Sequence, residues 1–315
     1  MKILCVGQIV VDVAIKSLDI ADFEKGRSTI DSFEVIGGGD CNNAAIDLTR
    51  LGEDARPFGV IGDDFLGDRL IELYRENGID TSFIRRVSEP TTVSVLILGK
   101  NGDPTLTVIR SGAHEALMPG DVTEEMIRWA DHVHMVSVLN LNRFDGEGTG
   151  QVFETAHRLG KTTSMDLKAL NPALENRMQL VEKALSNCDV FLPSHYEVEF
   201  LCGIRDPEKA AEFFAPFGLK VFGCKMGARG VFLTDYHTSM YLPSLYEGTP
   251  VDVIGAGDAF SATFACAWKR GYDLHDAGVL ASAASALVLD EVGCTTGMKD
   301  FDTVLRYAKE RGALR

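Results

Sequence analysis

Apolar runs short enough for strands alternate along this chain with segments whose apolar residues recur at helical spacing. Residues 2–7 and 10–15 have the strand pattern, with Asp12 set inside the second run. A polar stretch, 19–32, leads to a strand-like run at 33–36 and then to three glycines. Over 42–51, Ala44, Ala45, Leu48 and Leu51 recur at helical spacing, and Gly52 stops the helix. The run 55–61 is strand-like. After Gly62-Asp63-Asp64 a helix is expected to about residue 77, closed by Gly78. Such βα alternation predicts a parallel sheet covered by helices.

The middle of the chain breaks this rhythm. Residues 91–99 and 105–110 read as two strands joined by a Lys100-Asn101-Gly102-Asp103 turn, a hairpin signal. With 10–15 and 33–36 they are expected to form a small separate sheet, placed as a lid over a site. The competing expectation is an edge extension of the main sheet. Alternation then resumes, with strands at 132–138, 162–166, 190–192, 219–225 and 230–234 and helices at 147–159, 172–186, 197–202 and 207–214. Three more helices, at 258–270, 273–288 and 300–311, close the chain. The expected fold class is α/β, a mainly parallel central sheet flanked by helices with a small β lid from about 10–36 and 91–110. One domain is expected to span 1–315.

Composition narrows the function classes. A formal net charge of -15 counts against nucleic-acid binding, which asks for a basic surface. Seven scattered cysteines, none spaced C-x-x-C, suit a reducing cytoplasm better than a disulfide framework or a zinc knuckle. The first residues enter a strand at once, without the layout of a signal peptide. The longest apolar run, 278–289, falls short of the ~20 residues a membrane span needs. A cytoplasmic protein with neither membrane nor nucleic-acid partners is expected.

Candidate chemistry concentrates at 251–260. An extended apolar approach runs into Gly255-Ala256-Gly257, and a helix is expected to open at Asp258. Glycines let backbone N–H groups close on a ligand, and a helix N-terminus adds its positive end, so the turn is a candidate anion site. Asp258 at its rim is either a base that takes a proton from something attacking that anion or a plain helix cap. The stretch alone leaves both open. A second turn, Gly37-Gly38-Gly39-Asp40-Cys41-Asn42-Asn43, sets an acid and two amides at another helix start, groups suited to hydroxyl-rich molecules. Asp12, in an apolar strand, needs a partner or a ligand if buried, and otherwise is a strand end. Gly227 and Gly230 bracket a tight turn. Gly160-Lys161-Thr162 is not a phosphate-binding P-loop, because position 155 is Thr and the segment leaves a helix for a strand. No G-x-G-x-x-G follows the first strand, which removes a dinucleotide-binding reading. His132 and His134 alternate on a strand and are expected in the core or on the surface rather than on a metal.

In this order the pieces resemble the signatures of the ribokinase-like carbohydrate kinases, the PfkB family. Gly38-Gly39-Asp40-Cys41-Asn42-Asn43-Ala44-Ala45 through Arg50-Leu51-Gly52 resembles its N-terminal signature. Asp252, Gly255, Ala256, Gly257, Asp258 and Phe260 match its C-terminal Asp-x-x-Gly-Ala-Gly-Asp-x-Phe. Between them, Gly62-Asp63-Asp64-Phe65-Leu66-Gly67 matches a third segment. Gly112-Ala113-His114 and Pro193-Ser194-His195-Tyr196-Glu197 resemble two more, with His and Ser where Asn is usual.

The resemblance implies ATP-dependent phosphorylation of an alcohol on a sugar-like acceptor. Asp258 then matches the catalytic base, and the N–H groups of Gly255, Ala256 and Gly257 match the anion hole. Asp12, Gly39, Asp40 and Asn43 match acceptor-binding positions, and Lys225, Gly227 and Gly230 the nucleotide turn. Glu197 matches the acid that organises Mg²⁺ through water, and Asp252 the region where many members bind a monovalent cation, usually K⁺. The lid also implies a homodimer contact. The leading function is a kinase for a sugar or sugar acid. A nucleoside kinase of the same fold and a non-catalytic sugar-binding protein are the alternatives.

Overall fold

The computed structural model describes residues 1–16, 26, 30, 32–98, 104–168 and 171–314. The turn expected at 100–103 and most of the polar stretch from 19 to 31 lie outside the described residues.

Strand β1 (Lys2–Val6) lies between β4 (Asp54–Phe58) and β9 (His132–Val138). From β9 the sheet continues through β10 (Thr162–Leu167), β11 (Val190–Phe191), β12 (Val221–Lys225), β13 (Val231–Thr234) and β14 (Ser239–Leu242). Every pair from β4 to β12 is parallel, and the β12–β13 and β13–β14 pairs are antiparallel, so β13 is the reversed strand. A parallel sheet is covered on both faces, and β1 reports this directly. Ile3 and Cys5 belong to one apolar cluster and Leu4 and Val6 to the other, all fully buried.

Helices α1 (Asp40–Arg50), α2 (Phe65–Glu76), α8 (Ala256–Lys269), α9 (Leu274–Val288) and α10 (Phe301–Glu310) cover the first face. Helices α3 (Glu124–Trp129), α4 (Glu147–Arg158), α5 (Arg177–Leu185), α6 (His195–Cys202) and α7 (Pro207–Phe214) cover the second. Among the described residues no helix is long and apolar enough to cross a membrane.

A second, four-stranded sheet has the order β3 (Ser32–Gly38), β2 (Val10–Lys16), β7 (Val93–Leu98), β8 (Pro104–Arg110). The expected small sheet is therefore separate, and the edge-extension reading is set aside. Its register puts Asp12, Ile36, Ser94 and Ile109 on one face and Val13, Val35, Val95 and Val108 on the other. Asp12 and Ser94 are buried, while Val35 and Val108 are exposed, so the face carrying Asp12 looks inward at the centre of the sheet.

Three sequence expectations need correction. The run expected as one strand at 55–61 is two: β4 stays in the main sheet, and β5 (Val60–Gly62) leaves it to pair with β6 (Arg85–Val87). The helix expected at 172–186 is α5 alone, because Asn176 takes a left-handed conformation (φ 54) and fixes the start at Arg177. Helix α8 begins at Ala256 rather than at residue 258.

His132 and His134 are fully buried on β9 and share the Ser164 hydroxyl, at 2.7 and 2.6 Å. Burial pushes both pKa values down, that of His134 to about 3, so both are neutral core residues, as expected.

Candidate active site

Parallel α/β sheets bind ligands beyond the carboxyl ends of their strands. Here those ends deliver Asp166, Leu167 and Lys168 from β10, Ser194 just past β11, and Lys225 from β12. All five line a cavity of about 620 Å³, together with Asp40, Glu197 and the whole of Gly255-Ala256-Gly257-Asp258. The remaining wall is largely apolar and includes Tyr246, Val253, Ala286 and Leu289.

The start of α8 sets the geometry. Gly255 is the N-cap, in a left-handed conformation (φ 85), and the first helical bond runs from Ala259 N–H to the Gly255 carbonyl at 2.9 Å. The N–H groups of Ala256, Gly257 and Asp258 therefore have no acceptor within the helix and are left for an anion. Asp258 is the third residue of the helix, not its cap, which removes the plain-cap reading. A Cβ on Gly255 would sit 2.0 Å from the Cys294 carbonyl oxygen, so only glycine fits this close approach.

Asn43 of α1 donates from Nδ2 to Asp258 Oδ2 at 2.7 Å and fixes the carboxylate. Burial, and then the neighbouring Asp40, raise the Asp258 pKa to about 7, against the pull of Lys168 and Asn43. Asp40 opens α1 behind its N-cap, Gly39. Ser137 Oγ donates to Asp40 Oδ2 at 3.0 Å, and Lys168 Nζ lies 3.1 Å from Oδ1.

Asp12 comes from the second sheet, with its Oδ2 3.8 Å from Cys294 Sγ. Its pKa is raised to about 6 by burial, with Lys168 and a Ser94 hydrogen bond opposing. A Cβ on Gly38 would fall 1.9 Å from Asp12 Oδ2, so the glycine turn leaves the room that this carboxylate fills. Asp12, Gly39, Asp40, Asn43 and Asp258 are thus brought to one place from three elements.

Lys225 Nζ pairs with Asp166 and donates to Ser261 Oγ at 3.0 Å, and Ser261 Oγ donates to Asp166 Oδ2 at 2.6 Å. Gly227 and Gly230 flank a single 3₁₀ turn on the cavity wall. Glu197 forms a capping box with Ser194, accepting from the Ser194 N–H at 2.7 Å through Oε2. Burial and then Asp166 raise the Glu197 pKa, the mark of two acids sharing a site, with Lys225 opposing. Asp252 is placed differently from the rest. Its carboxylate accepts from Ile254 N–H at 3.0 Å and Gly293 N–H at 3.1 Å, so it ties the glycine turn to the 293–297 loop and does not line the cavity.

Asp166, Lys168, Ser261 and Cys294 were not among the residues singled out by sequence. Asp166 and Lys168 had a usable signal, their position at the end of an apolar parallel strand. Ser261 and Cys294 had none, since only long-range packing brings them here.

A family model described as the pfkB family carbohydrate kinase matches residues 1–300. An ATP-dependent ribose-1-phosphate kinase from Halopiger xanaduensis is 28% identical over 315 residues, covering 99% of this chain and 99% of its own. A nucleoside kinase from Methanothermobacter thermautotrophicus is 25% identical over 311 residues, 98% of this chain and 96% of its own. The crystal structure of a ribokinase from Thermotoga maritima superposes with a TM-score of 0.80 at 25% identity, over 98% of this chain and 99% of that one. The chain belongs to the pfkB family of carbohydrate kinases.

Proposed function

We propose that this kinase transfers the γ-phosphoryl group of ATP to a hydroxyl of a sugar or sugar acid, with Asp258 as the general base. The observation that carries this reading is the join of Asp258 to free helix N–H groups in one cavity, with Asn43 aiming the carboxylate. A base poised near neutral pH suits proton removal from an attacking alcohol. Gly255, Ala256 and Gly257 cradle the phosphoryl group through backbone N–H groups, and phosphoryl transfer asks for little beyond positioning and charge stabilisation. Asp12, Gly39, Asp40 and Asn43 form the acceptor end, where carboxylates accept from sugar hydroxyls. Lys225, Gly227 and Gly230 support the nucleotide end.

Glu197, its pKa raised by burial and then by the neighbouring Asp166, makes with that acid a pair suited to a hydrated divalent cation. Glu197 and Asp166 would hold Mg²⁺ through water, and the ion would offset charge on the phosphates. K⁺ belongs to the same reading, at the junction that Asp252 makes with Gly293.

The test is ADP release with ATP against pentoses, hexoses, sugar acids and nucleosides, in K⁺ and in Na⁺ buffers. Turnover is expected with a sugar or sugar acid, faster in K⁺. Turnover confined to nucleosides would move the acceptor to that class, and saturable sugar binding without turnover anywhere would make the protein a binder.

The second sheet serves as the lid in this reading, and its outer face predicts a homodimer. Phe33 (64% exposed), Val35 and Val108 leave an apolar strip on β3 and β8 that a two-fold contact would cover. Sedimentation equilibrium is expected to return a dimer, and Phe33→Glu with Val108→Glu a monomer. A wild-type monomer at micromolar concentration would remove this part.

A further inference from the structure

We infer that Lys168 is a catalytic residue of this kinase, its ammonium contacting the phosphoryl group in transfer. The inference rests on the kinase reading but not on the identity of the base.

The cavity wall carries four acids, Asp40, Asp166, Glu197 and Asp258, and two lysines. Anionic phosphates entering such a site need a cation that is not already spent. Lys225 is spent: Asp166 and Ser261 hold its Nζ, and its side chain is only 14% exposed. Lys168 is not. Its Nζ has one hydrogen-bond partner among the described residues, Asp40 Oδ1 at 3.1 Å, and an ammonium has three N–H groups. Its side chain is 40% exposed where that of Asp40 is 8%, so the free donors face the cavity. The backbone is fixed as well, since Lys168 N–H donates to the Val138 carbonyl at 2.8 Å.

Position supports the role. Asp40, Asp258 and Glu197 line the same cavity as Lys168, which sets the ammonium on one wall with the acceptor end, the base and the metal-side acid. In the transfer the bond from the γ-phosphorus to the bridging oxygen of ADP breaks, and a bond from the acceptor oxygen forms, its proton leaving to the base. Charge on the equatorial oxygens peaks between those partners, where a preorganised cation is most effective.

Three lesser roles would also make Lys168 necessary: neutralising Asp40, lowering the pKa of Asp258, or anchoring an anionic acceptor. Lys168→Met keeps the length of the chain and removes the charge. Calorimetry with ADP alone and with ADP plus aluminium fluoride reads the transition-state contact without any acceptor. The loss of affinity expected is about 10²- to 10³-fold with aluminium fluoride and less than about threefold for ADP alone. With the acceptor found in the panel, kcat on the alkaline plateau should fall by a similar factor, and Lys168→Arg should recover part of it.

Equal weakening of both complexes together with a lower melting temperature would reduce Lys168 to a partner for Asp40 and overturn the inference. A rate loss that vanishes on the alkaline plateau would reduce it to tuning Asp258, and a loss confined to acceptor KM to an acceptor anchor. If Asp258→Asn keeps its turnover while Lys168→Met loses it, the base assignment fails and the present inference stands.

Discussion

Asp258→Asn is expected to lower kcat by about 10²- to 10⁴-fold, the range that a positioned general base contributes, while ATP binding stays near the wild-type value. The amide keeps the shape of the side chain but cannot take the acceptor proton. The pH profile gives a second reading. With the Asp258 pKa raised to about 7, wild-type activity should climb on the acid side with an apparent pKa near that value. That limb should disappear in the variant together with the activity.

Stability moves the other way. An acid whose folded pKa lies above its unfolded one binds more protons folded than unfolded between the two values. Folding stability therefore falls as pH rises from 3.8 toward about 7 for this group. The amide carries no such penalty, so the variant should melt above wild type at neutral pH, with the difference closing in acid. Near-normal turnover in Asp258→Asn, or an acid limb that survives in it, would take the base role from this residue.

The two halves of the site were legible in the sequence for different reasons. Parallel strands buried on both faces must be apolar, so β1, β9, β10 and β12 stood out, and the amphipathic helices between them followed. Both glycine turns announce themselves because each makes a close backbone approach. What the sequence could not show is how the halves meet. Asn43 and Asp258 are 215 residues apart, and no local pattern at either end encodes their bond.

The strand end marks Lys168 as a position where site residues are delivered, but its pairing with Asp40, itself held by Ser137, has no local pattern. In the sequence Asp166 is no more than the last residue of the strand expected at 162–166. The failures in secondary structure are equally local. β5 is three residues long, too short for a period to appear, and a left-handed Asn176 cuts a helix whose apolar spacing runs on past it.

Gly255→Ala is expected to cost both activity and stability, and Gly257→Ala, two residues on, to leave the fold intact. At Gly255 an alanine would hold a left-handed backbone at about 1–2 kcal/mol, before any clash is counted. Its methyl would also lie 2.0 Å from the Cys294 carbonyl oxygen and 2.6 Å from that residue's carbonyl carbon and Cα, all backbone atoms that cannot swing aside. Either the turn or the 293–297 loop must move. Asp252 bonds the two together through Gly293 N–H, and Cys294 in turn touches Asp12, so displacement reaches the anion nest and the acceptor end at once. Misaligned donors cost about 10²- to 10³-fold in kcat. At Gly257 the nearest atom to a new Cβ is Lys225 Nζ at 3.6 Å, ordinary contact with a side-chain tip, and the backbone is not left-handed. Thermal melts of the two variants, with circular dichroism at the assay temperature to show that each is folded, separate geometry from unfolding. A Gly255→Ala protein that melts and turns over like wild type would mean that Cys294 does not pin the turn, and the anion nest would lose its account of why it stays in place.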